Sequence, residues 1–112
     1  MKKKSVIFIV LVCLVSISAF AQSKKLIYQI NIRENIGSNS WIHLQNGLHE
    51  ARQRRADCVL LHINTYGGNV KEADSMRTAI LNFPLPIVAF IDNNAASAGA
   101  LIASALLELA QY

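Results

Sequence analysis

Between residues 58 and 70 the chain reads CVLLHINTYGGNV, and this stretch determines its architecture. Its first part, Cys58 to Ile63, is a short and nearly continuous apolar run, which is typical of a strand buried on both faces. The pair Gly67-Gly68 breaks the run, because glycines permit positive φ and let a backbone N–H face a ligand. From Val70 to about Leu81 the pattern is helical, with an inner side formed by Val70, Ala73, Arg77 and Ile80. The stretch therefore predicts a strand, a glycine turn and a helix.

Upstream of this stretch the sequence predicts one more strand and one more helix. Leu26 to Arg33 alternates apolar and polar residues with a period of two, which is typical of a half-buried strand. Asn35 to Asn39 is rich in turn-forming residues, and Ser40 is the predicted N-cap of the next helix. That helix is expected from Trp41 to about Arg55, where apolar residues return at helical spacing.

Downstream, the sequence predicts a third strand from Pro86 to Ile91, a turn over Asp92 to Asn94, and an Ala- and Leu-rich helix from Ala95 onward. The order is therefore βαβαβα. Alternating strands and helices indicate an α/β fold with parallel strands joined by right-handed crossovers. In such sheets the loops that carry function follow the carboxyl ends of the strands. The Gly67-Gly68 turn and the loop around Ser97 are thus expected at the same edge.

Ser97 lies in the predicted first turn of the last helix, where free N–H groups and the helix dipole favour negative charge. The small residues around it, from Ala95 to Gly99, leave room for a substrate backbone. Taken alone, Ser97 is more readily explained as a helix cap among small packing residues. The glycine turn at the same edge favours a nucleophile, with the amides of Gly68 and Ala98 as an oxyanion hole.

Other side chains are weaker candidates for a catalytic base. Lys71 follows the glycine turn, but its helix leads away from that edge, and an exposed lysine is a poor base at neutral pH. His62 is expected to be a core or sheet-face histidine, and Asp92 a turn former. His43 and His49 are expected to be surface or packing residues of a helix. These residues predict neither a Ser-His-Asp set nor a zinc site.

The first 21 residues have the pattern of a signal peptide. Lys2 to Lys4 form a positive n-region, an apolar run follows from Val6 to Phe20, and Ala19-Phe20-Ala21 offers a cleavage site before Gln22. The apolar run is shorter than the roughly 20 residues that a membrane-spanning helix needs. An uncleaved N-terminal anchor is the alternative. The sequence therefore predicts export through the inner membrane.

The basic character of the chain comes largely from this leader. Without its three lysines, eight of the eleven basic side chains remain, against seven acidic ones. A nearly neutral mature chain gives no support for binding to nucleic acid. The remaining cluster of Arg52, Arg54 and Arg55 is typical of the solvated C-terminal turn of a helix.

Three segments resemble the core of the ClpP/crotonase superfamily: residues 63–70 (INTYGGNV), 84–91 (PLPIVAFI) and 95–99 (AASAG). Within that superfamily, the chain from Leu26 to about Ser104 is similar to the NfeD group of membrane-bound serine proteases. The resemblance implies a ββα-spiral core, incomplete in this chain, that forms a partial ClpP-like serine protease domain over residues 22–112. It implies no cofactor and no metal.

For the site, the resemblance implies Ser97 as nucleophile, Gly68 and Ala98 as oxyanion donors, and Gly67 and Gly68 as substrate-binding residues. The implied general base is a lysine. Two features depart from the family pattern. Tyr66 stands where relatives often carry proline, and the chain ends fifteen residues after Ser97, whereas the family's lysine follows by several tens of residues. The domain is therefore expected to be truncated before its base and inactive alone.

The resemblance also implies apolar peptide segments as substrate, a stomatin-like membrane protein as partner and a homo-oligomer. The location would be periplasmic or extracytoplasmic, with membrane association in a full-length parent. Two alternatives remain open. The first is a non-catalytic partner or scaffold of a stomatin-like membrane protein, which a missing base would favour. The second is a crotonase-type acyl-CoA enzyme, against which the signal peptide argues because acyl-CoA is cytoplasmic.

Overall fold

The computed structural model describes residues 2–18 and 24–109. In this part of the chain, helices and strands alternate after an N-terminal helix. In chain order the elements are α1 (Lys2–Ser18), β1 (Ile27–Ile32), α2 (Ser38–Gln53), β2 (Cys58–Thr65), α3 (Val70–Leu81), β3 (Ile87–Ala95) and α4 (Ala98–Leu109). The predicted order βαβαβα is confirmed.

The three strands form one parallel sheet in the order β1-β2-β3. Ile27 pairs with Cys58 at the start of β1 and β2, and Val59 pairs with Ile87 at the start of β3. Each helix from α2 onward follows one strand, as parallel pairing requires. The predicted α/β class with parallel strands is therefore correct.

The core lies between one face of the sheet and the helices α2, α3 and α4. β1 contributes Ile30 and Ile32 to it, so the predicted alternation of that strand is confirmed. Each such side chain removed from water contributes roughly 1.5–3 kcal/mol. The other large buried residues are Ile36, Leu44, Leu48, Val59, Leu61, Ile63, Met76, Ile80 and Ile102.

β2 is buried on one face only, so the predicted burial on both faces is wrong. Its residues alternate between buried and half-buried along the whole strand. On the half-buried face, His62 pairs in register with Phe90, whose side chain is 55% exposed. The continuous apolar run reflects a half-covered second face rather than a second helical layer.

α2 begins at Ser38, three residues earlier than predicted, with Gly37 as its N-cap. The prediction of Ser40 as N-cap is therefore wrong. Ser40 is instead the third residue of the helix, where its buried hydroxyl accepts from the Gly37 N–H at 2.8 Å and donates to the Gly37 carbonyl at 2.9 Å. The Ser40 hydroxyl, which lies within the first turn, thus provides hydrogen bonds to both backbone groups of the N-cap residue.

α3 has the predicted bounds, and Asn69 caps it by accepting from the Lys71 N–H at 2.9 Å. The predicted inner face is partly wrong. Ala73 and Ile80 are buried as expected, but Val70 is 65% exposed and Met76 is fully buried. Val70 lies at the N-terminal end of the helix, ahead of the turns that pack on α2 and α4.

The predicted turn over residues 92–94 is wrong, because β3 continues through it to Ala95. Ile63 pairs with Ile91 and Thr65 pairs with Ala95, so Asn64 alone lies opposite three residues of β3. This bulge contains Asn93, whose φ of 59° is left-handed, a conformation that asparagine tolerates better than most residues. Renewed pairing with β2 extends the strand beyond this local bend.

α1 covers most of the predicted signal peptide, and its side chains from residue 2 to residue 14 are exposed. Among residues 2–18 and 24–109, no helix combines the length and the apolarity that crossing a membrane requires. The predicted cleavage site, Ala19-Phe20-Ala21 before Gln22, lies outside the described residues. The signal peptide over residues 1–21 stays a prediction.

One polar contact between β1 and α2 makes stability depend on pH. The Tyr28 hydroxyl donates to the Glu50 carboxylate at 2.7 Å. This bond, together with the charge of Arg54, holds the pKa of Glu50 below its usual value. A carboxyl whose pKa is lowered by folding stabilises the native state above its unfolded pKa, and this contribution is lost as pH falls through the folded pKa.

Tyr28→Phe is therefore expected to lower Tm at pH 7 and to change it less at pH 3, because protonation of Glu50 progressively removes the charged acceptor as pH falls. Thermal unfolding followed by circular dichroism at the two pH values measures the difference. Tyr66→Phe is the control, because the Tyr66 side chain is 77% exposed. An equal loss of Tm at both pH values for Tyr28→Phe would show that the bond from Tyr28 to the Glu50 carboxylate does not cause the pH dependence.

Candidate active site

Three loops meet at the carboxyl edge of the sheet, one after each strand. The loop after β1 holds the glycine turn through Ile36, which forms a parallel bridge with Gly68. The Ile36 N–H donates to the Gly67 carbonyl at 2.8 Å, and the Ile36 carbonyl accepts from the Asn69 N–H at 2.8 Å. The glycine turn is thus anchored on the side opposite to Ser97.

Ser97 lies between β3 and α4, directly before the first helical residue, Ala98. The predicted helix from Ala95 therefore begins three residues later, and Ser97 precedes its first turn instead of belonging to it. Its side chain is exposed and its φ is 49°, in the left-handed region. A tight turn from strand to helix with the serine at its apex is the backbone arrangement that presents a nucleophile in many serine hydrolases.

The glycine turn and the serine loop are in direct contact. A Cβ placed on Gly67 would lie 2.9 Å from the Ser97 Cβ and 3.0 Å from the Ala96 carbonyl oxygen. Gly67 also has a φ of 111°, which L side chains rarely adopt. The expectation that the two loops share one edge is confirmed, and only glycine fits at the point where they touch.

Two backbone N–H groups lie beside this contact, that of Gly68 and that of the buried residue Ala98. Among the described residues, no acceptor is hydrogen-bonded to the N–H of Gly68 or of Ala98. Gly68 is exposed, and Ala98 opens α4, where the helix dipole adds positive potential. The sites of the two predicted oxyanion donors therefore carry unpaired amides next to Ser97.

Thr65, at the end of β2, contacts all three loops and was missed by the sequence-based prediction. Its hydroxyl donates to the Glu34 carbonyl at 2.8 Å and accepts from the Gly67 N–H at 3.2 Å. Its carbonyl accepts from the Ala96 N–H at 3.2 Å. A Cβ on Gly99 would lie 2.8 Å from its methyl group. A hydroxyl residue two positions before a glycine could have signalled it, since such residues often bond to nearby backbone.

No described side chain serves Ser97 as a base. The Ser97 hydroxyl has no hydrogen-bond partner among the described residues. Lys71, His43 and His49 are all exposed, Lys71 on α3 and the two histidines on α2. Of the two predicted alternatives for the histidines, surface or packing, the structure shows surface positions.

His62 lies on the half-buried sheet face, one of its two predicted positions, and links Arg33, directly after β1, to Asp92 in β3. Its Nε2 is 3.2 Å from Asp92 Oδ2, and its Nδ1 is 3.4 Å from Arg33 Nη2. The prediction of Asp92 as a turn former is wrong, because Asp92 lies within β3. The histidine and the carboxylate do pair, but among the described residues neither is bonded to Ser97.

Solved structures share this fold. The membrane protease 1510-N from Pyrococcus horikoshii, specific for a stomatin homolog, is 23% identical, with a TM-score of 0.67 over 74% of this chain and 43% of its own. ClpP1 from Listeria monocytogenes is 22% identical, with a TM-score of 0.67 over 70% of this chain and 46% of its own. Identities this low establish the ClpP-like fold and no more.

The relationship in sequence is closer. The membrane protein NfeD1b of Bacillus subtilis (strain 168) is 35% identical over 97 residues, which make up 87% of this chain and 22% of the relative. The chain thus spans about a fifth of the length of that relative. The family described as "NfeD1b, N-terminal domain" matches residues 26–109. The chain belongs to this family of NfeD1b N-terminal domains and has its ClpP-like α/β fold.

Proposed function

We propose that this domain is the nucleophile-bearing part of a serine endopeptidase of the ClpP class. The observation that carries the proposal is the contact between Gly67 and Ser97, which places an exposed serine in a strained turn beside two unpaired amides. A serine that attacks a carbonyl needs such donors where the oxyanion forms. The family membership and the ClpP-like fold support the same chemistry.

In the proposed reaction, the Ser97 hydroxyl oxygen attacks the carbonyl carbon of a peptide bond and gives its proton to a general base. The N–H groups of Gly68 and Ala98 donate to the oxyanion of the tetrahedral intermediate. The base returns the proton to the leaving amine, and an acyl-enzyme on Ser97 remains. Water, deprotonated by the same base, then releases the acyl group and restores the serine.

The general base in this proposal is the lysine implied by the family resemblance, placed outside residues 1–112. Two observations support this placement. The Ser97 hydroxyl is hydrogen-bonded to no described side chain, and the matched region makes up 22% of the relative NfeD1b. The 112-residue chain alone is then expected to be inactive.

The proposed substrate is an apolar peptide segment bound along the Gly67-Gly68 turn, and the proposed partner is a stomatin-like membrane protein. The stomatin specificity of the structural neighbour 1510-N supports this partner. Association with the extracytoplasmic side of a membrane is supported by the leader-like sequence and by the membrane relative NfeD1b. A homo-oligomer is proposed because Val88 and Phe90 leave an apolar sheet face half exposed.

The test compares two polypeptides with a fluorogenic apolar peptide. One is the 112-residue chain. The other, the extended polypeptide, is the same chain continued by the segment that follows the matched region in Bacillus subtilis NfeD1b. We expect cleavage by the extended polypeptide only, and a fluorophosphonate should phosphonylate its Ser97, with loss of fluoride. Cleavage by the 112-residue chain would show that it contains a base, and a folded but inactive extended polypeptide would contradict the protease proposal.

The unpartnered Ser97 hydroxyl favours one second candidate, a non-catalytic partner or scaffold of a stomatin-like membrane protein. In that case the Gly67-Gly68 turn at the carboxyl edge of the sheet would bind an apolar peptide without cleaving it. Fluorescence anisotropy of a labelled peptide separates the two functions. A scaffold binds the peptide equally well with and without the substitution Ser97→Ala, and no product appears in either sample.

A further inference from the structure

We propose that Thr65 is a positioning residue that sets the oxyanion turn relative to Ser97. This inference rests on the proposed protease function and assigns a role to a residue outside the nucleophile and the oxyanion donors. Thr65 is 2% exposed, so it meets substrate neither directly nor through solvent. It acts through the backbone groups that it holds.

On one side, the Thr65 hydroxyl fixes the glycine turn. Its single hydrogen goes to the Glu34 carbonyl at 2.8 Å, and its oxygen accepts the Gly67 N–H at 3.2 Å. Among the described residues, the Gly67 N–H has no other partner. Without the hydroxyl, a buried N–H would be left unpaired, which costs about 1–3 kcal/mol. The turn would then shift to find water or another acceptor.

On the other side, Thr65 holds the chain that carries Ser97. Its carbonyl accepts the Ala96 N–H at 3.2 Å, one residue before the serine. Its methyl group packs where Gly99 lacks a side chain, two residues after the serine. One buried residue therefore touches the backbone on both sides of the proposed reaction centre.

This arrangement matters because oxyanion stabilisation depends on donor placement within fractions of an ångström. The Gly68 amide follows Gly67 directly, so a shift of the Gly67 N–H moves the donor as well. The Thr65 hydroxyl thus aligns the glycine turn, and the Thr65 methyl group packs against Gly99. The two contributions are separable by substitution.

The test uses Thr65→Val, which keeps the shape and removes the hydroxyl, and Thr65→Ser, which keeps the hydroxyl. In the extended polypeptide we expect Thr65→Val to lower kcat about 10- to 100-fold with KM unchanged, in the range of a misplaced oxyanion donor. Thr65→Ser should stay within about threefold of the unchanged protein. Thr78→Val is the control, because Thr78 is exposed on α3 and its hydroxyl donates to the Asp74 backbone carbonyl at 3.0 Å.

A second measurement is independent of activity. Amide hydrogen exchange by NMR in the 112-residue chain should be at least about tenfold faster at Gly67 in Thr65→Val and unchanged in Thr65→Ser. Exchange at buried Leu61 should stay the same in both variants. If the unchanged extended polypeptide cleaves nothing, the protease proposal fails, while Gly67 exchange still decides whether Thr65 holds the turn.

Two results would overturn the positioning role. One is a Thr65→Val variant with normal kcat and normal protection of the Gly67 amide. The other is a folded Thr65→Ser variant that loses both, since the hydroxyl would then be insufficient. If Thr65→Val does not fold, Thr65→Ser alone decides the matter through its kcat and its Gly67 exchange.

Discussion

Ser97→Ala is expected to abolish peptide cleavage by the extended polypeptide, with kcat reduced at least about 1,000-fold. Removal of the nucleophile from a serine protease leaves only the rate enhancement from binding and the oxyanion hole. The fold should survive, because the Ser97 side chain is exposed and forms no hydrogen bond with a described residue. Steady-state kinetics with the fluorogenic peptide, together with the thermal transition of each protein, measure both expectations.

Ser104→Ala is the matched control for this change. Ser104 is also an exposed serine, on α4, and its hydroxyl donates to the Leu101 carbonyl at 2.7 Å within the helix. Its substitution should leave kcat within about twofold, since surface changes of this kind have small effects. A kcat of Ser97→Ala within about tenfold of that of the unchanged extended polypeptide would identify a different nucleophile.

Gly68→Ala is expected to remove most of the stability of the domain. A Cβ at Gly68 would overlap the Ile36 carbonyl oxygen and lie 2.7 Å from the Ile36 nitrogen. Relief of that overlap requires separation of the bridge, with its two hydrogen bonds of 2.8 Å. The lost bonds and the strain at φ 148° together cost about 3–5 kcal/mol, against a total of roughly 5–10 kcal/mol for a domain of this size.

The effect is measured as the free energy of unfolding in urea, with Gly37→Ala as the control. Gly37 has an extended φ of −171°, and a Cβ there would meet nothing within 4 Å. Its replacement should cost about 1 kcal/mol, because alanine is a poor N-cap. Equal losses for the two alanine variants would show that the bridge between Ile36 and Gly68 does not support the fold.

Local patterns predicted the parallel sheet, the limits of α3 and the meeting of the two loops, because these depend on periodicity and chain order. They failed where partners distant in sequence decide the outcome. The three polar residues 92–94 resemble a turn, and Asn93 is indeed left-handed. Pairing between Ala95 and Thr65, thirty residues away in the chain, nevertheless carries the strand past them.

In the candidate site, too, local sequence patterns predicted some residues and missed those whose role depends on distant parts of the chain. Ser97 and the glycine pair stand out because a Gly-Gly pair after a strand and a serine near a predicted helix start are local sequence signals. Thr65 does not stand out, since its role depends on Glu34 and Ala96, which come near it only in the folded sheet. The continuous apolar run of β2 likewise indicated burial but could not show that helices cover only one face.

The bulge in β3 bends the chain locally, shortly before Ser97. In a strand without a bulge, successive side chains point to opposite faces of the sheet. The orientation of a serine at the end of such a strand could therefore change only if the core packed differently. Here three residues lie opposite Asn64 before pairing resumes at Ala95, and bulges of this kind redirect the chain locally. Substitutions at residues 92–94 can therefore change the orientation of Ser97 without any change in the core residues beneath the sheet.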